Sequence, residues 1–339
     1  MIAERLGAQL LAGPPARDPV AVVERLLAVQ AQDPRGARLA IRARSTGLTA
    51  ADVEKAMTAD RSLLITWLNR GTLHLVTRED YPWVHALTTP PLLTGTTRRL
   101  HQEGVTQDAA ERAVKVIVRS LADDGPLTRE QLRARVNQAG VRTEGQALVH
   151  LFGLASFRGL IVRGPMIGKQ HAYVLVRDWL GETKPVARER ALAELARRYL
   201  AGHAPADARD LAKWSGLPLR DARAGLDAIA RALDLRPDGL VALTAPSSEI
   251  PLPAPRLLGA FDPLLLGWTS REPILGPRDA KVVTGGIFRP FALLDGRGVA
   301  TWRLTGGQVA IEPFARLSRA NRAALEADAD EVLRFLAAA

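Results

Sequence analysis

The sequence predicts an α+β fold: three tandem winged-helix units followed by a small C-terminal β-barrel. Three observations predict it. A helix, a turn, a second helix and a β-hairpin follow one another between residues 123 and 176. The same order can be read again on either side of that stretch. Composition then shifts at Pro246, Pro251, Pro253 and Pro255, a stiff linker beyond which the apolar runs are short. A chain of 339 residues is too long for one ordinary core, so several modules are expected.

The first unit spans 1–110. Asp18-Pro19 starts a helix, with an N-cap followed by proline at the first helical position. Val22, Val23, Leu26 and Leu27 form its buried stripe. A second helix starts near Pro34 and a third covers Thr49 to Met57. Leu73 to Val76 belong to a hairpin after Gly71. The second unit, 111–182, is the clearest. Thr128 caps the helix carrying Leu132 and Val136, and Asp123-Asp124 read as its solvated entry. Gly140 ends that helix, and another runs through Ala147, Leu151 and Ala155. Residues 159–164 and 172–176 are the strands, joined by the turn Gly168-Lys169-Gln170-His171. In the third unit, 183–248, Trp214-Ser215-Gly216-Leu217-Pro218 separates helices 206–211 and 219–229, and 236–243 forms the wing. The last module, 249–339, offers strands at 257–266, 281–284, 288–294 and 298–303, a turn at Asp295-Gly296, and a closing helix at 319–337.

Lysine and arginine number 46 against 36 acids, a formal charge of +10. Such an excess favours a polyanionic partner, because each phosphate neutralised releases a counterion. Nearly all the cations are arginine, which a GC-rich genome would also produce. The chain has no cysteine, which excludes disulfides, thiolate metal sites and a cysteine nucleophile. Its six histidines lack metal-ligand spacing, and no phosphate-cradling glycine loop or serine nucleophile elbow is present. No metal and no cofactor are therefore expected. No apolar run is long enough for a membrane helix and the first residues do not form a secretory signal, so a cytoplasmic protein is expected.

Three segments could carry chemistry. Gln30 lies four residues after Leu26 and continues the apolar face of its helix. A buried amide there must be hydrogen-bonded or functional, since burying it unpaired costs about 1–3 kcal/mol. Gln30 and Gln32 lie about 200° apart on a regular helix, so they can act together only if the helix loosens near Ala31. Asp33-Pro34 favours such a break. The alternative is that Gln30 bonds a neighbouring loop while Gln32 is solvated. The second segment, Thr66 to Val76, mixes donors with an aromatic around a wing. Wings reach phosphates, which makes Arg70, Thr72 and His74, with Lys169 and His171 in the next hairpin, candidate DNA contacts. A purely structural hairpin is equally open. In the third, Arg289, Trp302 and Arg303 stand beside aromatics in a β-module, suited to phosphate contact or base stacking. Core packing is the alternative for Phe288 and Trp302. Asp262 reads as a salt-bridge partner rather than a catalyst.

Taken in order, Gln30-Ala31-Gln32-Asp33-Pro34-Arg35-Gly36, Arg70-Gly71-Thr72-Leu73-His74, Phe261-Asp262, Gly286-Ile287-Phe288-Arg289-Pro290 and Thr301-Trp302-Arg303 resemble the AlkZ/YcaQ winged-helix DNA glycosylases. The resemblance spans nearly the whole chain, and Gln30-Ala31-Gln32 matches the Gln–Gln branch of AlkZ. It implies a monofunctional enzyme that excises bulky or crosslinking alkylated purines, chiefly N7-alkylguanine adducts, often as self-resistance to a genotoxic natural product. Gln30 and Gln32 would be catalytic, placing a water and the deoxyribose. The implied partner is double-stranded DNA carrying such lesions, met by a monomer at the bacterial nucleoid. Set against this are a non-enzymatic winged-helix regulator and a damage-binding protein without turnover.

Overall fold

The computed structural model describes residues 1–168, 170–182, 185–244 and 250–337, which form two units: 1–54 with 188–339, and 55–187. The architecture is mixed α and β with several antiparallel sheets.

In the 55–187 unit, antiparallel strands run in the order Leu73–Thr77, Leu63–Trp67, Ile161–Ile167, Gln170–Leu175. The hairpin turn at Asn69–Gly71 carries positive φ at Arg70 (57°) and Gly71 (73°), and Gly71 takes that geometry without the steric penalty of a side chain. Helix Gln107–Asp124 starts at the Thr106 cap. This corrects the expected role of Asp123 and Asp124, which end a helix rather than lead into one. Carboxylates at a helix C-terminus oppose its dipole. Here Arg119 faces Asp123 at 3.5 Å and Arg135 meets Asp124 at 2.5 Å. Helix Arg129–Gln138 follows with a full capping box: Thr128 N–H donates to Gln131 Oε1 at 2.8 Å, and Gln131 N–H donates back to Thr128 Oγ1 at 3.3 Å. Helix Ala147–Phe157 and the 161–175 hairpin complete the expected order, and Leu127 bridges Tyr173 on that hairpin. Phe152, Leu151, Leu132 and Ile161 make the core beneath it.

In the other unit, helices Ala208–Ser215 and Leu219–Ala228 flank the left-handed Gly216, and strands Leu233–Leu235 and Val241–Leu243 pair as their hairpin. The preceding helix, Arg188–His203, has no counterpart among the sequence expectations. Its last residue, His203, is fully buried and stacks on Tyr199 at 4.7 Å. Of the linker prolines, Pro246 lies outside the described residues, and 250–255 has no regular structure. The C-terminal strands form an open four-stranded sheet ordered Gln308–Pro313, Arg297–Thr305, Phe291–Leu294, Arg256–Leu258. Among the described residues no closed barrel exists. Local breaks also shorten the expected strands. The first strand stops at Leu258, because Asp262 caps a 3-10 turn at Pro263. Residues 279–282 turn helical, and Pro290 cuts the expected third strand in two. Helix Arg319–Ala337 sets Leu325, Ala329, Val332 and Phe335 along one buried face.

Candidate active site

The Gln-Ala-Gln segment lies between two capped helices. Asp18 accepts from Val20 N–H at 3.0 Å and starts helix Pro19–Leu26; Asp33 accepts from Arg35 N–H at 2.9 Å and starts helix Pro34–Arg42. The first helix ends at Leu27, where φ is 63°. Val29–Gln30 is extended. The helical break needed to bring the two amides together therefore comes earlier than Ala31, and Gln30 does not continue the helix face. In an extended chain, residues two apart point to the same side. Gln30 Nε2 donates to Gln32 Oε1 at 2.5 Å. Gln30 is buried, Ala31 wholly so, and Gln32 exposed.

The segment is tightly seated downstream. A Cβ at Gly36 would lie 2.3 Å from the Ala260 carbonyl oxygen, so only glycine admits this backbone approach. Next to that contact, Asp262 accepts both arms of Arg44, at 2.8 and 2.9 Å, with both side chains fully excluded from solvent. Arg44 also donates to Gln9 Oε1 at 2.9 Å and to Ala40 O at 3.0 Å, holding the end of the helix that Asp33 begins. Asp262 is thus the salt-bridge partner the sequence suggests. Arg44, its counterpart, escaped sequence reasoning, because nothing in Ala43-Arg44-Ser45 distinguishes a buried arginine from a solvated one.

In the 55–187 unit, the structure brings Arg70, Thr72 and His74 around one turn. Thr72 Oγ1 donates to Asn69 O at 3.2 Å, and His74 Nδ1 lies 3.0 Å from Thr72 O. Burial, reinforced by the Arg70 charge, pushes His74 down to about 3, so it is neutral at physiological pH. Burial lowers the Arg70 guanidinium to about 10. Asn69 is fully buried, with neither amide atom hydrogen-bonded among the described residues. Such an orphan calls for an explanation, and sequence reasoning did not single it out. His171 is buried, its Nδ1 3.1 Å from Gly164 O, while Lys169 lies outside the described residues.

Trp302 does not share the exposed surface of Arg289 and Arg303. Arg289 is exposed after a short hairpin. Trp302 and Arg303 alternate across their strand. Arg303 faces solvent and pairs with Glu312. Trp302 is core: it is 4% exposed and its indole N–H donates to Leu258 O at 2.9 Å. That burial leaves no ring face for a base, which corrects its assignment as a DNA contact. Phe288 packs at 5.5 Å on Phe261. No group of three metal-ligating side chains occurs among the described residues, and no helix there is long and apolar enough to cross a membrane.

Comparison with known proteins gives this geometry its context. The profile of the AlkZ-like DNA glycosylases matches residues 23–335. The interstrand DNA cross-link repair glycosylase of Streptomyces sahachiroi is 28% identical over 340 positions, covering 92% of this chain and 89% of that protein. The solved structure of Streptomyces sahachiroi DNA glycosylase AlkZ superposes with a TM-score of 0.80 at 27% identity, covering 98% of this chain and 95% of that one. A family match that runs from within the helix before the paired amides to the last turn of the C-terminal helix makes the protein a DNA glycosylase and a member of the AlkZ-like family.

Proposed function

We propose that the protein hydrolyses the N-glycosidic bond of bulky or crosslinking alkylated purines, N7-alkylguanine adducts above all, with Gln30 and Gln32 as its catalytic pair. The observation that carries this reading is the amide–amide hydrogen bond in an extended segment. Alkylation at N7 makes the base cationic, so it departs without a general acid. What remains is to stabilise an oxocarbenium-like sugar and to place a water. Neutral amide dipoles fixed by packing can do both, though neither is a strong base. The pair offers no amine for a Schiff base, which makes the reaction monofunctional. The Streptomyces sahachiroi relative bears the name of a cross-link repair enzyme, and we extend cross-linked DNA to this chain as a substrate.

The helix–turn–helix and hairpin stretches within 1–110, 111–182 and 183–248 act in this reading as winged-helix units that grip duplex DNA, with 249–339 as a separate β-module. Arg70, Thr72, Lys169, Arg289 and Arg303 serve as phosphate or groove contacts, while the buried His74 and His171 brace their hairpins through the Thr72 and Gly164 carbonyls. The enzyme works as a cytoplasmic monomer at the nucleoid, protecting its host from a genotoxic natural product. The test is release of base from N7-alkylguanine duplex by the wild type, Gln30→Ala and Gln32→Ala. We expect release by the wild type, and release slower by about 10²–10³ in each variant. Binding of lesion DNA without any abasic product would leave a damage-binding protein instead. Equal release by all three proteins would remove the catalytic assignment.

A further inference from the structure

A cavity of about 130 Å³ opens among the end of helix Pro34–Arg42, the turn Ser45–Leu48, strand Arg256–Leu258 and helix Arg319–Ala337. Arg42, Arg256 and Arg334 line it, together with Glu331. Two of the three guanidinium groups are engaged. Arg42 holds Asp328 at two points, 3.0 and 2.9 Å, and also donates to Leu257 O at 2.9 Å. Arg334 pairs with Glu331. Arg256 is left over. Its Nε is buried and has no hydrogen-bond partner among the described residues, as is also true of Arg42 Nε, while the Arg256 side chain as a whole is only partly buried. Desolvation lowers its pKa, with Arg42 and Arg44 pushing the same way against the pull of Asp328 and Glu331.

With Asp328 included, three cations face two carboxylates, and the surplus charge rests on Arg256. A partly desolvated cation without a carboxylate in close contact is unfavourable, and an entering anion would offset that cost. The cavity holds about four water volumes, at roughly 30 Å³ each. That is room for one tetrahedral oxyanion. Guanidinium forks match the oxygens of phosphate in geometry and charge.

We infer that the cavity lined by Arg42, Arg256 and Arg334 is a phosphate-binding site, distinct from the amide pair. Its ligand is a phosphate group, supplied by the DNA backbone away from the lesion or by free phosphate. The site is independent of which adduct is excised and of the roles of Gln30 and Gln32.

The full-length protein tests it in two ways. Calorimetric titration with inorganic phosphate at constant ionic strength reads the site directly. The salt dependence of binding to undamaged duplex DNA reads a backbone contact. For phosphate, Arg256→Gln should weaken binding about tenfold, as expected for a lost charge-assisted contact. Glu331→Gln should tighten it several-fold, a change of opposite sign that a merely structural role would not produce. If DNA supplies the phosphate, Arg256→Gln also reduces the steepness of log K against log salt by about 0.9. An unchanged slope with lost phosphate binding assigns the site to free phosphate. Arg334→Gln alters a solvent-facing side chain and carries the same comparison should Arg256→Gln fail to fold. Absence of saturable phosphate binding, with equal slopes for every variant, overturns the proposal.

Discussion

Neither Gln30 nor Gln32 titrates in the physiological range, and this has a kinetic signature. A glycosylase whose catalytic groups are amides should show a kcat/KM that is level between about pH 6 and 9. A bell-shaped profile would place a carboxylate or imidazole in the rate-limiting step. Removal of one preorganised dipole costs about 10²–10³ in rate where charge develops. Gln32→Ala should show that loss in single-turnover base release. Because Gln32 is exposed, its thermal midpoint should stay near that of the wild type. The buried histidines carry a different dependence. His74 and His203 are both held near 3 by burial, while the unfolded chain takes up their protons near 6.5. Their contribution to stability is complete above pH 6.5 and is lost progressively as pH falls toward 3, by up to about 1.4 kcal/mol per pH unit for each. Urea midpoints at pH 7, 6, 5 and 4 should fall accordingly. His74→Gln should flatten part of that decline, and an unaltered pH profile in that variant would count against a buried neutral His74.

At the scale of elements, the helix after the amide pair is held by a backbone approach and a buried ion pair. Gly36→Ala places a Cβ 2.3 Å from Ala260 O, and the forced shift should cost about 1–3 kcal/mol. Asp262→Asn leaves Arg44 charged and fully buried, a loss of about 3–5 kcal/mol in chemical denaturation. Helix starts were legible because their signals are local: Asp18-Pro19, Asp33-Pro34 and Thr128 each cap where the residue types suggest. The stop at Leu27 was not. A leucine with positive φ carries none of the glycine signal that marks many helix ends, so the apolar run read on through Gln30. Asp123 and Asp124 misled for a related reason: acids favour a helix start, and only the cap at Thr106 shows which helix they belong to. Sheet closure was beyond local reading altogether. It depends on whether distant edges meet, and short-range alternation is the same in an open sheet and a barrel.

For the molecule as a whole, a formal charge of +10 should dominate the binding of undamaged DNA. With six or more phosphates neutralised, affinity should fall by about 10³ or more between 50 and 200 mM salt, measured by fluorescence anisotropy on a duplex without lesions. A weak salt dependence would mean that the basic surplus is compositional rather than functional. Discrimination between damaged and intact duplex, by contrast, should be preserved across that range, because it depends on the base and sugar rather than on the backbone charge.

The seating of Gly36 against Ala260 has a consequence for enzyme engineering. The Gln-Ala-Gln tripeptide is not a portable cassette. Grafted onto another helix–helix joint, its amides would lose the partner that fixes their downstream anchor. Transplanting the proposed active site needs a matched set from distant stretches of chain. The set comprises the amides Gln30 and Gln32, the side-chain-free position at Gly36 with the Ala260 backbone it admits, and the Asp262 carboxylate with its Arg44 partner.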